Sequence, residues 1–244
     1  MEKDGSSGDE ATHVIGELIQ SFLPEFLILV APRVANRLRL EHGEFLGQDS
    51  WRDLREDDVL YSTSKLAGRS VEVLIHIESD APHFPDFDHR MARYGLSLFR
   101  VHGVPVLPVV VFVQRGSEPG RREIYARAVK LDAAGFWFNW FRYLAVAISA
   151  GRAETYLRRG DPLSATLAAL MPYGGGSRVE HKLCCFRKII AAKELAPKRR
   201  SILVGAVDCF LPLEGREEEE FQAQISGDVQ EEVHQMERFL EQQD

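Results

Sequence analysis

The stretch DVLYSTSKLAGRSVEVLIHIESD, residues 58–80, decides the fold. Residues 58–65 are rich in β-branched and aromatic side chains, and residues 70–78 alternate before becoming nearly all apolar. Both read as strands, and Ala67-Gly68-Arg69 between them suits a hairpin turn. Leu74 and Ile75 suit a strand covered on both faces. In a hairpin the start of the first strand lies beside the end of the second. Asp58 and Glu78 therefore come to one edge of the sheet. Paired carboxylates with open coordination positions are what a hard cation such as Mg²⁺ requires. Two acids near strand ends also suit a solvated surface, and spacing alone does not separate the two. Glu78, however, follows VLIHI, which places its carboxylate where a buried strand emerges.

Downstream, residues 81–87 hold two prolines and read as a loop. Helical spacing then runs from Asp88 through Met91, Tyr94, Leu98 and Val101, with Asp86 or Asp88 as a cap and Gly103 as the stop. VPVLPVVVFV, 104–113, is an apolar run of strand length. Strand, helix and strand in succession predict a βαβ crossover. Pro105 and Pro108 predict an irregular start or an edge position for the last strand. A polar turn at 114–122 precedes a further strand, 123–129. The aromatic run Phe136–Tyr143 reads as core rather than as a platform for bases.

Upstream, Val14, Ile15, Leu18, Ile19, Phe22 and Leu23 are helically spaced, Pro24 marks a kink or restart, and Pro32 opens a further short helix. The second half is mainly helical. Asp161-Pro162 opens one helix through Leu170, PYGGGS at 172–177 breaks it, and helices follow at about 181–194 and 197–211. The expected architecture is α/β, a mixed central sheet flanked by helices with a helical C-terminal part. Its expected divisions are a disordered lead-in at 1–12, a core at 13–145, a helical part at 146–213 and an acidic terminal helix or tail at 214–244.

The 244 residues are 45% apolar and 27% charged, as in a soluble globular protein. No apolar run is long enough to span a membrane and the N-terminus lacks a signal-peptide pattern, so a cytoplasmic location is expected. The formal net charge is −7. Residues 214–244 carry 11 acids against 2 bases, which leaves the body near neutral. Such a body still binds phosphates through a local patch. Cys184, Cys185 and Cys209 fit neither a disulfide framework nor a zinc spacing, and read as small buried helix residues.

HFPDFDHRMARY, 83–94, places Arg90, Arg93 and Tyr94 on a helix that begins close to Glu78. Arg90 is suited to contact a phosphate or to pair with Glu78 or Asp58. The quoted strands and this helix, together with SFLPEFLILVAPRVANRL, GVPVLPVVVFV, GDPLSATLAALM, HKLCCFRKIIAAKEL and RRSILVGAVDCFLPLEGREEEEF, resemble the recombination-promoting nuclease and transposase-like family of the PD-(D/E)XK superfamily. The resemblance covers residues 13–225. The family pattern is an Asp, then an apolar strand ending His-x-Glu-x-Gln, then a helix with Phe-x-x-Arg-Met-x-x-Tyr. Asp58 matches the first acid, His76 and Glu78 the strand, and Phe87, Arg90, Met91 and Tyr94 the helix. The resemblance implies a restriction-endonuclease-like fold and Mg²⁺-dependent DNA cleavage, with Mn²⁺ as a substitute and a link to recombination or transposition. It also implies that Glu17, on the first helix, can join the metal site.

Asp80 departs from that pattern, standing where the family has Gln and the superfamily Lys. An ionised Asp accepts hydrogen bonds but donates none. It suits a third metal ligand and not a donor to a developing oxyanion. Lys65 on the neighbouring strand is an alternative cation. The expectation is a metal-dependent endonuclease in which Asp58 and Glu78 bind Mg²⁺, Asp80 assists, and Arg90 and Arg93 contact DNA. His76, Tyr94 and Glu17 would be supporting residues, and a homodimer would allow both strands to be cut. The rivals are a catalytically inactive nuclease-like protein that binds DNA or a protein partner, and an interaction protein built on the helical half.

Overall fold

The computed structural model describes residues 4–46, 59–66, 70–79, 87–113, 124–133 and 136–225. In chain order the elements are α1 (Asp4–Ser21), α2 (Leu23–Val30), α3 (Pro32–Ala35), β1 (Glu44–Phe45), β2 (Val59–Leu66), β3 (Ser70–Ser79), α4 (Phe87–His102), β4 (Val106–Phe112), β5 (Ile124–Ala133), β6 (Phe136–Ala147), α5 (Ala153–Leu157), α6 (Pro162–Ala168), α7 (Arg178–Ala191), α8 (Pro197–Phe210) and α9 (Arg216–Gln224). They form two compact units, Phe22–Ala147 and Met1–Ser21 with Ile148–Asp244.

The first unit is α/β, with a six-stranded mixed sheet in the order β1-β2-β3-β4-β6-β5. The expected hairpin is present: β2 and β3 pair antiparallel from Leu66↔Ser70 to Val59↔Ile77. β3 and β4 are parallel and α4 connects them, which makes the expected βαβ crossover. The aromatic run is β6, antiparallel to β5 and parallel to β4. Leu74, Ile75 and Ile77 of β3 and Val109, Val110 and Val111 of β4 are almost fully buried, as suits strands covered on both faces.

Pro108 departs from expectation. It lies within β4, opposite His76, and β4 is a central strand rather than an edge. The β6 ladder begins at Val109, so the missing proline N–H costs no bond on that side. Helix α4 begins at Phe87, and Gly103 ends it in the left-handed region at φ 69, its N–H donating to the Phe99 carbonyl.

The second unit is helical. α1 reaches back to Asp4, inside the stretch expected to be a disordered lead-in. It also groups with residues 148–244, contrary to the expected 13–145 core. Ile15, Leu18 and Ile19 are fully buried on α1, which packs on α8. Asp161 caps α6, accepting from Ser164 N at 2.7 Å, with Pro162 in the first turn as expected. α7 starts earlier than its apolar spacing suggests, because Ser177 and Glu180 form a reciprocal capping box. α9 opens on Glu217, Glu218 and Glu219, which favours the helix dipole. Cys185 is buried, whereas Cys184 and Cys209 are half-buried. Among the described residues no single helix is long and apolar enough to cross a membrane.

Candidate functional site

Side chains on alternate positions of a strand share one face, and so do side chains four apart on a helix. Two strand residues advance about 6.6 Å and four helix residues about 6 Å, so a strand and a crossing helix can stay in step. β3 and α4 do this over three levels. Leu74 packs with Leu98 and Leu60. One step on, the His76 ring meets Tyr94 edge-on, with centroids 5.8 Å apart. At the third step Arg90 donates from Nη2 to Glu78 Oε1 at 2.5 Å. The interface thus passes from aliphatic to aromatic to ionic as β3 approaches its C-terminal end.

Glu78 is completely buried, and Arg90 retains about a fifth of its side-chain exposure. A carboxylate taken out of water is stable as an anion only with a charge partner and hydrogen bonds. Arg90 supplies that charge, and its guanidinium lies over the Phe87 ring at 5.0 Å. On the β4 side Val110 stands beside Glu78, so that lateral neighbour adds no polarity. Phe87 and Met91 join Val110, Phe112, Tyr143, Ala145 and Ala147 in one apolar cluster that seats the first turn of α4.

A second network fixes the same turn. Asp88 is not a cap residue, because it lies within α4. Its Oδ2 accepts from Arg127 Nη2 and its Oδ1 from the Tyr143 hydroxyl, both at 2.7 Å. Arg127 and Tyr143 are register partners across β5 and β6. One carboxylate thus binds both members of a cross-strand pair, and it is two residues from Arg90. The sequence holds no local signal for this, since 39 and 55 residues separate the partners from Asp88.

Of the residues expected to form the site, the structure brings together Glu78, Arg90, His76 and Tyr94. Arg93 lies over the Tyr94 ring at 5.9 Å, on the exposed side of α4. Glu17 belongs to the helical unit, where it lines a recess of about 720 Å³ with Glu10, Ser201, Asp208 and Cys209. Asp58 and Asp80 lie outside the described residues, as does the side chain of Lys65. Among the described residues no three His, Cys, Asp or Glu side chains form a metal-sized group.

In the helical unit, His181 stacks on Tyr173 with centroids 4.5 Å apart. Glu154 accepts from Gly174 N at 2.6 Å, which holds its carboxyl below the ordinary value. Lys182 is buried and pairs with Asp208 at 2.7 Å. Burial raises the Asp208 carboxyl, and the lysine opposes that.

No family model, curated protein or solved structure matches this chain.

Proposed function

We propose that the sheet unit is a restriction-endonuclease-like core and that the protein is a metal-dependent DNA endonuclease of the PD-(D/E)XK kind. The observation that carries this reading is the fully buried Glu78 carboxylate at the C-terminal end of β3, with Arg90 against it from the next helix. Ligand sites in open α/β sheets lie at such strand ends. The element order supports the same reading: a three-strand antiparallel meander, a crossover helix and a parallel fourth strand.

The donor set fits a hard cation, because carboxylate oxygens are what Mg²⁺ and Mn²⁺ take. Glu78 would hold the ion together with Asp58, the residue that precedes β2, and Asp80 would be a third ligand. The chemistry such an ion supplies is polarisation of a phosphodiester and activation of water. Glu78 contributes a desolvated anion on a strand paired on both sides. Arg90 orients that carboxylate and carries a cation suited to a DNA phosphate. A supercoiled-plasmid nicking assay with Mg²⁺ and with Mn²⁺ tests the reading. Wild type should nick, and Asp58→Ala and Glu78→Ala should lose activity. Equal residual activity in all three proteins would sink it.

The Glu78–Arg90 pair itself favours a second reading, a catalytically inactive nuclease-like protein that binds DNA or a protein partner. A guanidinium already neutralises the carboxylate, and Asp80 offers no donor. Thermal shift with Mn²⁺ separates the two: an intact fold with no response favours the inactive protein.

A further inference from the structure

The outer face of α4 is unlike the inner one. His89, Arg93, Leu96 and Arg100 follow one another at helical spacing, all exposed, and line a shallow recess of about 360 Å³ with Ala92 and Ser97. Leu96, Phe99 and Val101 are 49%, 53% and 53% exposed. Leu96 and Phe99, one helical turn apart, share this face, whereas Val101 stands about 140° round the helix from Leu96. From His89 to His102 there is no acidic residue. Arg90 is turned inward to Glu78, which leaves Arg93 and Arg100 as the outward cations.

Each component narrows the occupant. Two copies of this face brought together would set arginines against arginines. A nucleic-acid backbone would satisfy the arginines and leave Leu96 and Phe99 in water. An acidic helix with an apolar stripe satisfies both at once, as in helix-in-groove recognition.

We propose that the outer face of α4 is a docking site for an acidic amphipathic helix supplied in trans. The proposal does not rest on the nuclease reading, since none of these residues touches Glu78. A peptide with this chain's own sequence 227–244, GDVQEEVHQMERFLEQQD, has the required chemistry. It holds six acids against one arginine, and Val229, Val233, Met236 and Leu240 recur at helical spacing.

Fluorescence anisotropy of that labelled peptide titrated with the full-length protein is the test. Saturable binding is expected, weaker at higher salt. It should fall about tenfold or more in Arg93→Glu/Arg100→Glu and in Leu96→Ala/Phe99→Ala. All four positions are exposed, and unchanged thermal melts would show that the variants fold. A peptide carrying Glu232→Lys and Glu237→Lys should regain affinity for the arginine double variant. Absence of binding, wild-type affinity in both variants, or displacement of the peptide by a short DNA duplex would overturn the proposal, the last by making this a nucleic-acid face.

Discussion

Arg90 Nη2 and Glu78 Oε1 stand 2.5 Å apart, one step beyond the contact between His76 and Tyr94 on the same strand and helix. The pair is the last rung of the β3–α4 ladder, and it places a buried charge where the sheet opens. Removing either partner has unequal consequences. Arg90→Ala takes the guanidinium from a buried carboxylate and should cost about 3–5 kcal/mol. Glu78→Gln removes the charge that needed compensation and should cost less. Urea unfolding of both variants measures the difference. Equal losses would mean that Glu78 is not held as an anion.

Asp88 joins α4 to β5 and β6 through Arg127 and Tyr143. Asp88→Ala removes the acceptor of two hydrogen bonds and should destabilise by about 1–3 kcal/mol. Tyr143→Phe removes one bond and should cost less. A double-mutant cycle between Asp88 and Tyr143 should show coupling, and strict additivity would refute the network.

Gly95 lets α4 approach the sheet. A Cβ there would lie 2.5 Å from Phe141 Cε2. Gly95→Ala should therefore overpack the contact and cost about 1–3 kcal/mol despite the better helix propensity of alanine. Phe141→Leu should restore part of the loss. Stabilisation by Gly95→Ala alone would show that Phe141 yields freely.

Much of this ladder was legible in the sequence. The apolar run of β3, the helical spacing after Asp88 and the stop at Gly103 follow from periodicity and turn chemistry, and they predict the hairpin and the crossover. The pairing of Arg90 with Glu78 was one of the partners that spacing allowed. The Asp88 network was not legible, because Arg127 and Tyr143 meet only through the β5–β6 register. Pro108 was half legible for a related reason: a proline signals an irregular start or an edge, and β4 is a central strand whose β6 ladder begins only after it. The capping box at Ser177 and Glu180 was written in the sequence and is what sets the start of α7.

His181 gives the helical unit a pH dependence. Burial holds its imidazole below the ordinary value, opposed by the Ala168 carbonyl and Glu154 and reinforced by Arg178. The folded state thus prefers the neutral ring, and the unfolded chain takes up a proton near the ordinary histidine value of about 6.5. Stability should be complete above that pH and fall as the pH drops below it toward the folded-state value. Urea midpoints at about pH 8 and about pH 5 should differ less in His181→Phe, which keeps a ring against Tyr173. An unchanged difference would assign the slope to other groups.

The cysteines should separate by reactivity. Burial pushes the Cys185 thiol up to about 12 and the Cys209 thiol up to about 11. Little thiolate forms on either near neutrality, and Cys185 is also inaccessible. Iodoacetamide should modify the half-buried Cys184 well before Cys185 in the native protein. Tandem mass spectrometry of the α7 peptide reads the order, and equal rates at the two adjacent residues would contradict it.

The ion pair at the end of the ladder also bears on how the chain between Ser79 and Phe87 can change. Its two anchors, the end of β3 and the first turn of α4, are locked to each other by Glu78 and Arg90 and to β5 and β6 by Asp88. Doubling the length of that connection would add only about 0.6 kcal/mol of closure entropy. Insertions there should be accepted with little loss of fold. The length of that connection can therefore change while the buried Glu78 carboxylate stays in place.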